Sequence, residues 1–353
     1  MHADLVSVVI PAYNEGRFVG ACLDSVLAQD YSALQVLVVD GNSSDNTVAV
    51  VRERMDRDGR IELLHNARRN IPSSLNLAVG AARGRWLVRV DAHATIGSSY
   101  VSAAVDRLSE GTWGGVGGRK DGVGTTAAGR AIAVAMSNRL GVGNSTYHFG
   151  TTTQEVDHLA FGAYPLELVR GIGGWDEQLT ANEDFEFDHR LRKAGHHLLF
   201  DPRMVIRWHC RQTIPDLYRQ YNRYGQGKVD VAWLHPESLR PRHFIPPAFV
   251  AYLVLGAVVS AHRPTRMLLL VSPYAAAVAA ESLKAGRQLE SRSERLRLPA
   301  AFVSMHVGWG VGVWTGLSRT LPQRIRSWSR RPAGRSQPSD PEAMAGRAAA
   351  VEE

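Results

Sequence analysis

The string RVDAHAT, residues 89–95, closes an apolar run with two side chains that can bind a metal, Asp91 and His93, one residue apart. A sheet core has no need of an acid and an imidazole there, whereas a ligand held at a strand's end does. Carboxylates suit Mg²⁺ or Mn²⁺, and imidazole suits softer ions. A second stretch, NEDFEFDHRL, opens a helical pattern with Glu183 and Asp184 and continues through Glu186 and Asp188. Acids in a first turn are favoured by the helix dipole. A rigidly aimed carboxylate within reach of a hydroxyl can also take its proton. PAYNE, residues 11–15, sets Tyr13, Asn14 and Glu15 after a strand-like run, and Asp40 ends LQVLVVD. A carboxylate at a strand end can accept hydrogen bonds from the N–H of a uracil-like base. QYNRYGQGK, residues 220–228, carries Gln220, Arg223, Tyr224 and Lys228. The forked donors of arginine suit phosphate, while a basic helix lying on a membrane surface is the other use of such a stretch.

The elements that must position these groups read as alternating strands and helices. LVSVVI (5–10) and LQVLVVD (34–40) have the β-branched, all-apolar look of buried parallel strands, the first ended by Pro11. Between them, apolar residues recur at helical spacing from Glu15 to Leu27. Residues 43–58 begin with capping types, among them Asp45, and run into an amphipathic helix. IELLHN (61–66) predicts a third strand, 72–83 a helix, and WLVRVDA (86–92) a fourth strand. Such alternation predicts a doubly wound α/β layer with a mostly parallel sheet, whose ligands lie beyond the carboxyl ends of the strands. Tyr13–Glu15, Asp40 and Asp91 with His93 all sit at such ends. Residues 111–155, rich in Gly, Thr and Ser, predict strands only weakly. HLAFGAYPLELV (158–169) reads as a strand, and the helical spacing of 183–194 stops at Gly195. GGVGGRKDGVG opens no helix and is no dinucleotide fingerprint, and His196, His197 and His209 lack metalloprotease spacing.

With 353 residues, 44% hydrophobic and 21% charged, the chain is a folded protein of more than one region. Its net charge of +7 suits an anionic partner. The basic excess gathers after residue 203 and most strongly between 284 and 335, which favours a membrane surface. No nucleic-acid-binding signature appears, so no nucleic-acid partner is expected. Two cysteines exclude a disulfide framework and fit a reducing compartment, and the N-terminus lacks the basic and apolar stretches of a signal peptide. Three apolar stretches follow: 244–261, 267–280 and 298–317. The first and third approach the roughly 20 residues of a membrane span and the second is marginal. Two spans with one re-entrant or interfacial segment would reconcile the Arg-rich 284–297 loop with the positive-inside trend. The division expected is 1–240 as catalytic domain, 241–318 as membrane-associated helices and 319–353 as a disordered basic tail.

VSVVIPAYNE, VLVVDGNSSDNT, RGRWLVRVDAH, GGWDEQLTANEDFEFDHRLRKAG and QYNRYGQGK, in this order, resemble the GT-A fold, family 2 glycosyltransferases. The resemblance covers about residues 5–250 and is nearest to the bacterial exopolysaccharide branch of succinoglycan-type glucosyltransferases. It implies an inverting enzyme that uses a nucleotide-diphosphate sugar, in the first instance a UDP-sugar. The acceptor it implies is lipid-linked or a polysaccharide precursor, at a cell membrane with the catalytic domain facing the cytoplasm. A non-catalytic nucleotide-sugar-binding membrane subunit is the alternative. By the same resemblance Pro11, Tyr13, Glu15, Asp40 and Asp91 meet the donor, and Asp184 is the base with Glu183 beside it. Gln220, Arg223 and Tyr224 meet acceptor or diphosphate. Asp91, His93 and His209 are implied as ligands of Mn²⁺ or Mg²⁺, His93 standing where the family's D-x-D motif has its second acid. Tyr224 stands where the family's Q-x-x-R-W motif has Trp, which speaks against a processive polymerase.

Overall fold

The computed structural model describes residues 4–329. Its strands are β1 (Val6–Ala12), β2 (Leu34–Asp40), β3 (Ile61–His65), β4 (Trp86–Arg89), β5 (Ala94–Ile96), β6 (Trp113–Val123), β7 (Gln154–Glu155), β8 (Ala163–Pro165) and β9 (His197–His209). They form one sheet in the order β3-β2-β1-β4-β8-β6-β9-β5, with β7 added on β9. The strands β3, β2, β1 and β4 run parallel, as do β6 and β9. β8 is antiparallel to β4 and β6, and β5 and β7 are antiparallel to β9. The helices between them are α1 (Val19–Leu27), α2 (Thr47–Met55), α3 (Ile71–Ala81), α4 (Tyr100–Ser109), α5 (Ala127–Met136), α6 (Arg139–Val142), α7 (Leu166–Gly171) and α8 (Glu183–Lys193). After β9 come α9 (Ile214–Leu234), α10 (Ile245–Val259), α11 (Pro264–Ala285), α12 (Arg292–Arg295) and α13 (Leu298–Ser329).

The strand pleat sorts the apolar residues into two cores. Val8, Ile10, Val36 and Val38 join Val19, Leu23 and Val51 from α1 and α2 on one face. Val9, Leu37 and Val39 join Leu75 from α3 and Phe187 and Leu191 from α8 on the other. Burial on both faces is why β1 and β2 lack polar alternation. This is the doubly wound, mostly parallel GT-A sheet that the motifs implied.

Several expectations are corrected. Pro11 does not end β1 but lies in register opposite Val39. Helix α1 starts at Val19, later than the spacing suggested, whereas α2 starts at Thr47, directly after the capping types 43–46. β4 stops at Arg89, and Asp91–Ala94 is a tight turn, Ala94 N donating to Asp91 O at 2.9 Å. The glycine-rich stretch forms an 11-residue strand, β6. Only 163–165 of the 158–169 stretch is extended, and α7 begins at Leu166. Gly195 does follow α8 with φ +91°.

Residues up to Gly316 form one compact unit. Among the described residues, two helical stretches are long and apolar enough to cross a membrane, Pro241–Val259 and Pro264–Gln288. The second stretch, marginal in sequence, thus lies within the 22-residue α11. The third instead buries Leu298, Ala301, Phe302 and Met305 in the core. The tail expected to be disordered from 319 is helical to Ser329, and residues 330–353 lie outside the described residues.

Candidate active site

Three elements converge on Arg89. It ends β4 with a side chain only 3% exposed, and its guanidinium reaches three carboxylates. Nε donates to Asp91 Oδ1 at 3.0 Å, Nη2 to Glu183 Oε1 at 3.4 Å, and Nη1 to Asp184 Oδ1. Arg89 and Asp91 are two residues apart, the spacing at which side chains of an extended chain share a face. Glu183 and Asp184 come from the first turn of α8, whose cap, Asn182, adopts the left-handed conformation at φ 63°. The Asn182 side chain donates to the Tyr224 carbonyl at 3.0 Å and fixes the start of α8 to α9. Burial pushes the Asp184 carboxyl up to about 7, against the pull of Arg89. A carboxylate with that balance can both lose and accept a proton near neutral pH.

The other acids of the NEDFEFDHRL stretch are structural. Glu186 takes Arg190 Nε at 2.7 Å and faces His235 Nε2 at 2.9 Å. Asp188 accepts from Leu159 N, Tyr164 OH and faces His158 Nδ1, all within 2.9 Å. Both lock α8 to its surroundings and leave its first turn to face the cavity.

That cavity, of about 1070 Å³, is lined by Arg89, Asp91, His93, Glu183, Asp184, Gln220, Arg223 and Tyr224, so the expected acceptor-side and centre residues meet there. Gln220 Nε2 donates to Tyr224 OH at 2.9 Å. Of the expected donor-side residues Asp91 lines it, whereas Pro11, Tyr13, Glu15 and Asp40 do not, and Glu15 reaches it through His93. Glu15 Oε1 lies 3.0 Å from His93 Nδ1. Asp40 is buried at the end of β2 and accepts from the backbone of Asn42 and Ser43. Tyr13 is exposed, with the Arg69 guanidinium 5.9 Å from its ring. Pro11 is inside β1. Asp45 accepts from Thr47 N and Gly16 N, as a helix-start residue does.

The metal-ligand trio is not assembled as the motif implies. Trp208 Nε1 donates to His93 Nε2 at 2.6 Å. An indole N–H can only donate, so Nε2 accepts and Nδ1 carries the proton toward Glu15. Both nitrogens of His93 are therefore committed. His209 stacks on Phe18 with ring centroids 4.6 Å apart and touches the His93 segment through its backbone, N donating to His93 O at 3.1 Å. Among the described residues, the group whose ligand atoms all lie within 4.8 Å is instead His189, His235 and Glu237. It joins His189 of α8 to His235 and Glu237, which follow α9, and Lys193 Nζ is already 2.9 Å from Glu237 Oε1. Asp91, a carboxylate on the cavity wall, fits a hard divalent cation, whereas His93 in this arrangement does not.

Sequence reasoning missed Arg89 and Lys120. Lys120, from β6, holds its ammonium 3.9 Å from the Trp208 ring centroid and 4.7 Å from that of Phe161, and burial pushes its pKa down to about 8. Arg89 had a signal, a cation inside an otherwise apolar strand. Lys120 had none, because glycines around it erase the strand pattern.

Residues 7–158 match the family model described as glycosyl transferase family 2, and residues 149–283 match glycosyl transferase family group 2. The chain is similar to the succinoglycan biosynthesis protein ExoA of Rhizobium meliloti strain 1021, 29% identical over 315 residues, covering 88% of this chain and 94% of that one. It is also similar to the dolichyl N-acetyl-alpha-D-glucosaminyl phosphate 3-beta-D-2,3-diacetamido-2,3-dideoxy-beta-D-glucuronosyltransferase of Methanococcus voltae, at 23% identity over 66% of this chain and 78% of that one. Among solved structures it is similar in fold to the mannosyltransferase PcManGT of Pyrobaculum calidifontis in complex with GDP-Man and Mn²⁺. The TM-score is 0.58 at 21% identity, over 90% of this chain and 88% of the other.

Proposed function

The chain belongs to glycosyltransferase family 2, and we propose that it moves one sugar, with inversion, from a nucleoside-diphosphate donor to a hydroxyl of a lipid-linked or polysaccharide-precursor acceptor. The observation that carries this reading is the Arg89 junction, where Asp91 at a strand end and Asp184 at a helix start face one cavity through a shared guanidinium. On this reading the donor lies over the ends of β1, β2 and β4, its base near Tyr13 and Asp40. Asp184 takes the acceptor's hydroxyl proton as that oxygen attacks the anomeric carbon, while the bond from that carbon to the diphosphate oxygen breaks. Glu183 keeps its carboxylate beside the acceptor's path. Arg89 holds base and donor-side carboxylate in one frame, and Lys120 brings positive charge to the same wall.

A bound Mn²⁺ or Mg²⁺ would be held by Asp91 and would offset charge on the leaving diphosphate. Relatives named for succinoglycan and for a dolichyl-phosphate-linked sugar support an acceptor carried on lipid or polysaccharide. The apolar helices within 241–288 support a cell-membrane location with the catalytic domain, 1–240, on the cytoplasmic side. The test is a donor screen. Purified protein with Mn²⁺ is offered UDP- and GDP-linked sugars, and released nucleoside diphosphate is measured. Release with one donor, raised by an acceptor fraction and lost in Asp184→Asn, is the expected result. Undiminished turnover by Asp184→Asn removes the assignment of the base.

A further inference from the structure

The cavity does not end at the Arg89 junction, and next to the proposed base its wall holds a charge that the transfer step leaves unused. Lys228, on α9, is only 4% exposed, and its ammonium has no hydrogen-bond partner. It lies 3.4 Å from the ring centroid of Phe185, the residue after Asp184, and it lines the cavity. A cation–π contact offsets only part of the cost of taking an ammonium out of water. Burial, with the charges of Arg242 and Arg192, pushes the Lys228 pKa down to about 7. The fold therefore keeps, next to the proposed base, a cation that nothing in the protein satisfies. Two turns earlier on the same helix, Gln220 Oε1 is a buried acceptor with no hydrogen-bond partner, also on the cavity wall.

We propose that Lys228 receives a phosphate group of the acceptor, so that this enzyme takes an anionic, phosphate-bearing lipid rather than a neutral saccharide. The proposal rests on the glycosyl-transfer reading above. An ammonium and a carboxamide oxygen ask for opposite partners, and a sugar phosphate supplies both, oxyanion to Lys228 and hydroxyl to Gln220. Arg242 lines the cavity near Lys228 and adds a second cation. The same lining includes Ile245 and Phe249 of α10, Tyr274 of α11 and Trp309 of α13, an apolar stretch for a hydrocarbon. The set of base, cations and apolar wall matches sugar, phosphate and hydrocarbon. The donor's own diphosphate belongs with Asp91, Arg89 and Lys120 on the lining at the Arg89 junction.

The experiment uses the full chain in detergent with its donor site filled by UDP or GDP and Mn²⁺, and compares binding of farnesyl diphosphate with farnesol. Wild type is expected to bind the diphosphate at least tenfold more tightly. Lys228→Met should lose most of that preference, and Lys228→Arg should keep it. Lys228→Met should also melt at or above the wild-type temperature and keep its nucleotide-induced shift, because methionine fills the space without a buried charge. Equal binding of the two farnesyl compounds by wild type overturns the proposal, whether or not the methionine variant folds. An undiminished preference in Lys228→Met overturns it as well. A wild type that shows no nucleotide shift at all would instead sink the glycosyl-transfer reading, so the two failures are distinguishable.

Discussion

With Arg89 replaced by methionine, Asp91, Glu183 and Asp184 would share a buried corner with no guanidinium among them. Breaking a buried ion cluster on one side costs about 3–5 kcal/mol. Arg89→Met should therefore lose stability of that order in urea denaturation, and Arg89→Lys, which cannot reach three carboxylates at once, should lose an intermediate amount. Asp184 carries the activity prediction. Burial raises its carboxyl to about 7 and Arg89 opposes the rise, and the base works only when ionised. kcat/KM should climb with pH up to about 7 and then level, and Asp184→Asn should lower kcat at least ~100-fold while UDP-induced stabilisation persists. A flat profile between pH 5 and 8 would contradict the assignment. Asp91, Glu183 and Asp184 were legible because short strings carry them. The commitment of His93 was not, because its partner Trp208 is 115 residues away and the strand that brings it depends on tertiary pairing.

At the scale of elements, glycine explains both what was missed and what was misread. Strand β6 pairs with β9 along its length, yet eight of its eleven residues offer either no side chain or a charge. Alternating side chains are the signal of a strand, and here backbone approach replaces them. A Cβ on Gly118 would lie 1.7 Å from the Met204 carbonyl oxygen. In α13 the glycines at 308, 312 and 316 recur every four residues and turn one face to α9. Added Cβ atoms there would meet Tyr218 O at 2.9 Å, Asn222 O at 2.1 Å and Val229 Cβ at 3.1 Å. Sequence hydropathy read this helix as close to a membrane span, whereas its small-residue face is a packing seam against the helix that carries Gln220, Arg223 and Lys228. Gly312→Val should force α13 off α9 and cost about 1–3 kcal/mol, read as a lower melting temperature. Because α9 carries the residues proposed to meet the acceptor, the KM for acceptor should rise while donor affinity stays within twofold.

The described residues up to Gly316 combine the sheet that carries the site with an apolar helical hairpin, α10 and α11. Leu255 of α10 is 64% exposed and Leu269 of α11 is 72% exposed. The far end of α11 returns to the catalytic unit, where Glu281 Oε1 accepts from Asn138 Nδ2 at 2.7 Å and Arg130 pairs with Glu294. On the proposed reading, two spans would place residues 1–240 and the basic run Lys284–Arg297 on one side, which the positive-inside trend would assign to the cytoplasm. An aspartate near the centre of a span costs about 2.5–3.5 kcal/mol, so the pair Leu255→Asp and Leu269→Asp should shift the protein from the membrane pellet to the soluble fraction. The orientation has its own test. Cys22 and Cys210 are buried, so background labelling is low. In intact bacterial cells a membrane-impermeant maleimide should label the Arg263→Cys variant, at the turn between α10 and α11. The Arg292→Cys variant should react only after lysis. Protection of both positions in intact cells would mean that the hairpin lies in the cytoplasmic face without crossing. Labelling of Arg292→Cys from outside would reverse the orientation and remove the cytoplasmic supply of nucleotide sugar on which the proposed reaction depends.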